Sequence, residues 1–424
     1  MPRFEIKLSS LIHDSFRVRQ VAGMFDLPME ARRETVVSAQ APGEDESWDI
    51  GVIVGPSGSG KSTVAAHAFA DALYHPAPWP ADRAVIDCLG DLPIKRIVRV
   101  LTAVGFSSPR SWLVPHRVLS TGEQFRCELA RALLQDRPLV VFDEFTSVVD
   151  RAVAKIASAA IARAIRRGAI PVRFIAVTCH YDVVRWLEPD WVLDMGDAVV
   201  GQTFLSAMVT ESGASPRLAR GRAAPASPKM ADRNVSPTQA DRNVRPTRGR
   251  LHWGRLRRPP IHLAIRRAAS SQWTLFRDHH YLSGRLHPGS LCFIGSIDAR
   301  PATFIAALPF PHPRRPGWRE HRAVCLPDFQ GVGIGSAMSD FVAGLFAATG
   351  KPYFSRTSHP AMIHHRTGSA LWKMLRNPGM VSRSGRASAR TTGMSATTSR
   401  GRNTAGFEYV GPARVEDARR FGIA

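Results

Sequence analysis

The stretch Gly55-Pro56-Ser57-Gly58-Ser59-Gly60-Lys61-Ser62-Thr63 constrains this chain more than any other feature. It fits the pattern Gly-x-x-x-x-Gly-Lys-Ser/Thr, follows the apolar run Ile50-Gly51-Val52-Ile53-Val54 and precedes the helix-compatible Thr63-Val64-Ala65-Ala66-His67. Strand, glycine-rich loop and helix start together make an anion cradle. The glycines let successive backbone N–H groups curl around a phosphate, and the helix N-terminus adds partial positive charge. Gly55, Gly58, Gly60, Lys61, Ser62 and Thr63 are therefore expected to bind a nucleoside triphosphate such as ATP. Lys61 reaches the β/γ-phosphates, and the Ser62 hydroxyl is a ligand for Mg²⁺.

Further runs follow in a fixed order. Leu119-Ser120-Thr121-Gly122-Glu123 continues with Arg126 and Ala130-Arg131-Ala132-Leu133. Leu139-Val140-Val141-Phe142-Asp143-Glu144 reads as a buried strand ending in an acidic pair, then Ser147-Val148-Val149-Asp150, then Val177-Thr178-Cys179-His180. Taken with the P-loop, these five runs resemble the motifs of ATP-binding-cassette (ABC) ATPases. The resemblance implies that Asp143 holds Mg²⁺ through water, that Glu144 is the general base, and that His180 contacts the γ-phosphate. It also implies that Ser120 and Gly122 bind the nucleotide of an opposite subunit, so the competent state is an ATP-sandwich homodimer. Thr121 stands where the family has glycine and Phe145 where it has proline. No Gln lies between the P-loop and Gln124, so the family's Q-loop, expected near Asp87-Cys88-Leu89-Gly90-Asp91, is missing. An aromatic to stack on adenine is offered only by Phe25.

At 424 residues and 44% apolar content the chain has room for two or three domains with sizeable cores. No apolar run approaches the length of a membrane-spanning helix, and the start lacks the apolar region of a signal peptide. Five scattered cysteines without C-x-x-C spacing argue for a reducing compartment and against structural zinc. The expected location is cytoplasmic. Charge is segregated: residues 1–200 sum to −1 and residues 201–424 to +23. An excess placed in one half points to a polyanionic partner, DNA or RNA by default.

Residues 1–205 are read as the ATPase domain. From 206 to 255 the chain is rich in Ala, Ser, Pro and Arg and carries a tandem repeat (Ala231–Thr238 against Ala240–Thr247), which predicts a flexible basic linker. A second domain, 256–415, includes another basic, Ser/Thr/Gly-rich stretch at 382–403. In it Ile261–Ile265 predicts a short strand, Ser271–Tyr281 a helix, Leu291–Ile297 and Ala302–Leu308 a hairpin, Ala337–Ala348 a helix, Pro352–Arg356 a strand and Met362–Leu375 another helix.

Between hairpin and helix stands Val324-Cys325-Leu326-Pro327-Asp328-Phe329-Gln330-Gly331-Val332-Gly333-Ile334-Gly335. Gln330-x-x-Gly333-x-Gly335, after a strand and opening a helix, resembles motif A of the GNAT acetyltransferases. The resemblance implies that Gln330, Gly331, Val332, Gly333, Ile334 and Gly335 hold the pyrophosphate of acetyl-CoA or another acyl-CoA. It makes Glu320 the candidate base, with His359, His364-His365 and the Asp278–Gly284 cluster also open as contributors to chemistry or acceptor binding. A Rossmann site is disfavoured because neither Gly331-x-Gly333 nor Gly333-x-Gly335 is completed by a third glycine.

The expected fold is α/β: a P-loop ABC ATPase domain plus an α+β GNAT-like acyltransferase domain. The expected function is an ATPase coupled to CoA-dependent acyl transfer, acting at nucleic acid. Two alternatives stay open, the ATP-binding subunit of a transporter and a DNA-remodelling ATPase whose GNAT fold is non-catalytic.

Overall fold

The computed structural model describes residues 3–11, 13–25, 32–43, 46–196, 247–255, 258–280, 284–380 and 403–424. Most of the expected linker and the basic stretch at 382–402 lie outside the described residues. The chain opens with β1 (Arg3–Leu11), α1 (Phe16–Met24), β2 (Arg32–Gln40), β3 (Ile50–Val54) and α2 (Lys61–Ala68). Then come α3 (Ile94–Ala103), the single turn α4 (Pro109–Trp112), α5 (Thr121–Leu133), β4 (Leu139–Phe142), α6 (Arg151–Arg166), β5 (Arg173–Thr178), α7 (Asp182–Leu187) and β6 (Trp191–Asp194). After β7 (Thr247–Arg248) and β8 (Arg250–Trp253) follow β9 (Ala264–Ala268), β10 (Leu291–Ile297), β11 (Arg300–Phe310) and β12 (Gly317–Cys325). The last elements are α8 (Ile334–Ala347), β13 (Tyr353–Thr357), α9 (Pro360–Thr367), β14 (Trp372–Met380), β15 (Asn403–Tyr409) and α10 (Val415–Arg420).

Two compact units result. The first comprises Met1–His75, Arg137–Ser147 and Val172–Arg258. Its main sheet has the order β4-β5-β3-β6-β8, with the first four strands parallel and β8 antiparallel to β6. A parallel sheet is buried on both faces, and β3 is buried at every position. Gly51 is required there, because a β-carbon would overlap the indole of the fully buried Trp191. Residues 247–255, which the sequence places in the linker of 206–255, instead form β7 and β8. Basic surroundings hide this strand: only Leu251, which pairs with Leu193 and packs on the core, signals its inner side.

The second unit comprises Pro76–Asp136, Val148–Pro171 and Pro259–Ala424. The ATPase segment bearing α3 to α5, and also α6, thus clusters with the C-terminal region. The sheet order is β14-β15-β13-β12-β11-β10-β9, antiparallel except for β12 beside β13. The β10–β11 hairpin closes through Asp298 and Ala299, both at positive φ (49° and 62°), as a two-residue turn of matching twist requires. Where a helix is expected over 271–281, the described residues form two short 3₁₀ turns (Ser270–Leu275 and Arg277–His279), and Tyr281 lies outside the described residues. The helix expected over 362–375 ends at Thr367, capped by Gly368. Beyond it burial alternates, with Trp372 buried and Lys373 exposed, and the chain becomes an edge strand. On one sheet face α8 lays Met338, Val342 and Phe346 against Phe293, Ile305, Tyr353, Trp372 and Phe407.

β12 and β13 pair only at Trp318–Tyr353 and Arg319–Phe354. Just beyond that pairing sits a buried ionic node. Arg366, fully buried, donates from Nη2 to both Glu320 carboxylate oxygens (2.9 and 3.0 Å) and to Ser339 Oγ (2.8 Å), while Ser339 and Ser355 hydroxyls donate to the same carboxylate. The guanidinium also stacks on Trp372, 4.3 Å from the ring centroid. Removing one partner of such a pair strands a buried charge at about 3–5 kcal/mol. Arg366→Met is therefore expected to lower stability to urea by that amount, and adding Glu320→Gln to restore part of it. Unchanged stability in the single variant would show that the node does not bind the fold together.

Candidate functional site

In the first unit, the C-terminal edges of β3, β4 and β5 bring Gly58, Gly60, Lys61, Ser62, Thr63, Asp143 and Glu144 to one side. Register pairs Val54 with Thr178 and Phe142 with Ala176, so the glycine loop, the acidic pair and the end of β5 follow at the same level. The result is a cleft of about 320 Å³ lined by Ser57, Gly58, Gly60, Lys61, Ser62, Thr63, Asp143, Glu144, Ser147, Val177, Thr178 and Cys179. Gly58 and Gly60 adopt φ of 78° and 87°, the left-handed backbone that turns N–H groups inward; Gly55 stays extended at 159°. Lys61 Nζ donates to the Pro56 carbonyl at 2.7 Å. Burial lowers the Lys61 pKa, and Cys179, Asp143 and Glu144 oppose that shift.

Glu144 and Thr146 also carry positive φ (50° and 68°), which costs a non-glycine residue about 1 kcal/mol or more and is seen where a site over-determines its backbone. The Phe145 position explains the departure from proline. Its N–H donates to the Val177 carbonyl (2.8 Å) and its fully buried ring packs edge-on to Phe142 and Phe174. Proline could supply neither. Ser57, Ser147, Thr178 and Cys179 also line the cleft; sequence reasoning missed them as binding residues, and their places beside the motifs are the only signal for them. His180 follows the lining residue Cys179, its backbone N–H held by Thr178 Oγ1 at 3.1 Å.

Ser120 and Gly122 belong to the second unit, at the start of α5. Ser120 is the N-cap of a capping box: its Oγ accepts from Glu123 N–H (3.3 Å) and its own N–H donates to Glu123 Oε2 (3.2 Å). Thr121, in the glycine position, is simply the first helical residue. Gly122 is buried, and a β-carbon there would meet Asp328 Oδ1 at 3.1 Å. One turn on, Arg126 has no exposed surface; its Nη2 donates to the Asp328 carbonyl (3.0 Å) and Nη1 lies 3.7 Å from the Asp328 carboxylate. The motif arginine is thus a structural tie to the C-terminal region.

The turn expected to cradle a CoA pyrophosphate lies next to that tie. Gln330 Oε1 accepts from Ser107 N–H (2.7 Å), and its Nε2 donates to Ser108 Oγ (3.2 Å) and the Cys325 carbonyl (2.8 Å). His359 Nε2 lies 3.0 Å from the Ser107 carbonyl. Gly331 and Gly333 have the expected left-handed φ (93° and 90°), with Gly333 capping α8, and Val332, Ile334 and Gly335 complete the loop-to-helix passage. Yet a β-carbon on Gly331 would lie 2.7 Å from Ala160 Cβ and 2.8 Å from Gly105 Cα, and one on Gly333 2.5 Å from Arg163 Nη1. α6 and residues 105–108 therefore pack directly against one side of the turn. Glu320, the candidate base, is held in the node with Arg366. His365 Nε2 pairs with Asp340 (3.1 Å) and His364 is exposed; the structure brings neither together with Glu320.

No family model and no curated protein matches the chain. Solved structures match part of it. It is similar to a dimeric bacterial ABC transporter cassette at 16% identity and a TM-score of 0.31, over 38% of this chain and 88% of that one. It is likewise similar to a post-hydrolysis dimer of that cassette bound to ADP and phosphate (16%, TM-score 0.30, 38% and 87%). A third is cbiO1 of Clostridium perfringens, part of an ABC transporter complex (18%, TM-score 0.28, 34% and 72%).

The packing around Gly331 yields a direct test. Gly331→Ala combines a disfavoured backbone with overpacking, each costing about 1–3 kcal/mol. The variant should melt several degrees lower irrespective of CoA. A variant as stable as the parent, but altered in acetyl-CoA binding, would show that the turn faces a ligand.

Proposed function

We propose that this chain is an ATP-binding and ATP-hydrolysing switch of the ABC type, working as a homodimer. The cleft that unites Lys61, Ser62, Asp143 and Glu144 carries this reading. Ser62 and Asp143 are hard oxygen donors suited to Mg²⁺, which would take its remaining ligands from phosphate and water. Lys61 neutralises charge on the transferring phosphoryl group, and Mg²⁺, when bound, would add to that neutralisation. Glu144 orients the attacking water, and His180, two residues past β5, is assigned the γ-phosphate contact. Little covalent chemistry is needed from the protein, because positioning and charge neutralisation supply the rate. Ser120 and Gly122 complete the site of the other subunit.

The C-terminal domain is the output of this switch, reached through Arg126, Asp328 and Gln330, and the segregated positive charge makes a nucleic acid its partner. Among the described residues no helix is long and apolar enough to cross a membrane. Acyl transfer is a second reading. It is favoured by the succession of β12, glycine turn, α8 and a parallel, soon-diverging β13, and opposed by the packing against the turn and the paired Glu320. Acetyl-CoA binding by the purified chain separates the two: saturable binding supports transfer, and none at saturating concentration removes it.

Glu144→Gln keeps the donors for nucleotide and Mg²⁺ but loses the base. Hydrolysis should fall by about two to three orders of magnitude while ATP binding persists. Trapped ATP should then hold two chains together in sedimentation. A variant that stays monomeric in ATP overturns the roles of Ser120 and Gly122.

A further inference from the structure

The second unit's sheet has one face covered by α8 and another covered only in part. On this other face Trp273 and Phe276 roof Cys292, Ile294, Phe304 and Ala306 of β10 and β11. Over β13, β15 and β14 the same face is, among the described residues, only partly covered, and the strand registers fix what it shows. One cross-strand row runs Arg319, Phe354, Glu408, Lys373, and the next runs Arg356, Gly406, Arg376. Paired residues share a face. Their neighbours Trp318, Tyr353, Phe407 and Trp372 join the core beneath α8, so this set points away from it.

Arg356, Lys373 and Arg376 are exposed. Arg315 arrives from the β11–β12 connection to pair with Glu408, the one acid in these rows, and stacks 5.5 Å from the Phe354 ring centroid. Phe310 lies edge-on to Phe354 at 5.5 Å and stacks with His312. Five cationic side chains thus surround part-buried aromatic rings, against a single carboxylate. On the same strand as Arg319, His321 is held down to about 3, by burial first and then by Arg322, Arg319 and His287. Burial, with Arg356 next, also lowers Arg319.

Resting on the nucleic-acid reading above, we propose that this half-open sheet face binds single-stranded nucleic acid. Arginine and lysine would track the phosphates, and the Phe354–Phe310 rings would take unpaired bases by stacking. A flat, ring-bearing sheet suits splayed bases, which every sequence can offer, rather than the closed edges of a duplex.

The test uses the full chain, fluorescein-labelled oligothymidylate, a duplex of equal length, and phosphatidylserine vesicles. The parent should bind the single strand best. Reversing Arg356, Lys373 and Arg376 to Glu should weaken that binding at least about tenfold and shallow the log affinity–log salt slope by about 0.7 for each phosphate no longer neutralised. Reversing the equally exposed Arg167, Arg419 and Arg420 should not match this, and ATP hydrolysis should survive both triple changes. Phe354→Leu, which keeps apolar volume, should lower affinity while leaving the salt slope intact. If the parent binds neither nucleic acid, the nucleic-acid reading itself fails. If it binds and the first triple variant binds equally well, only the face is wrong. Preference for duplex, or an effect of the triple change confined to vesicle binding, also overturns the assignment.

Discussion

The parallel pairing of β3 with β5, and of β5 with β4, is the constraint on which the chemistry depends. Parallel strands end on the same edge, so one ladder brings a glycine loop, an acidic pair and a histidine-bearing strand end together from positions more than a hundred residues apart in sequence. The hydrogen bond from Phe145 N–H to the Val177 carbonyl extends that ladder beyond the strands and helps hold Glu144 in its left-handed conformation. Burial of the apolar strand residues stabilises the arrangement; the polar loops are carried by it.

A second constraint governs the other unit. Arg126 is wholly desolvated, and burial lowers its pKa, with Asp328 foremost among the groups opposing that shift. Its Nη1 and Nη2 groups find their partners on Gly122 and Asp328, so α5 and the turn at 327–330 are held together by mutual need. Gln330 reinforces the tie with three hydrogen bonds, and Ile156 of α6 joins the apolar cluster of Ile297, Ala302, Phe329 and Ile334. The segment bearing α3 to α6 is therefore continuous in packing with the C-terminal sheet of the same unit.

Much of the candidate cleft is legible in the sequence, because phosphate binding needs particular residues at particular local spacings. The same holds for the β10–β11 hairpin and for the helix after Gly333. Legibility fails where a residue type serves two ends. Glu320 has the chemistry of a base, but Arg366, 46 positions later, makes it an ion-pair partner. The start of β14 reads as helix because Met362–Leu375 is apolar enough for either, and only the alternation against β15 decides it.

The sequence by itself determined the local chemistry: the glycine turns with left-handed φ, the capping box of Ser120 and Glu123, the acidic pair, and the separation of charge between the halves. These depend on near neighbours and on composition. Only the tertiary structure decided what the turns face. The glycines at 58 and 60 open on a cleft, while those at 331 and 333 close on Ala160, Gly105 and Arg163. Two turns built on the same backbone logic thus meet different surroundings, because long-range packing, not local conformation, determines whether space is left for a ligand.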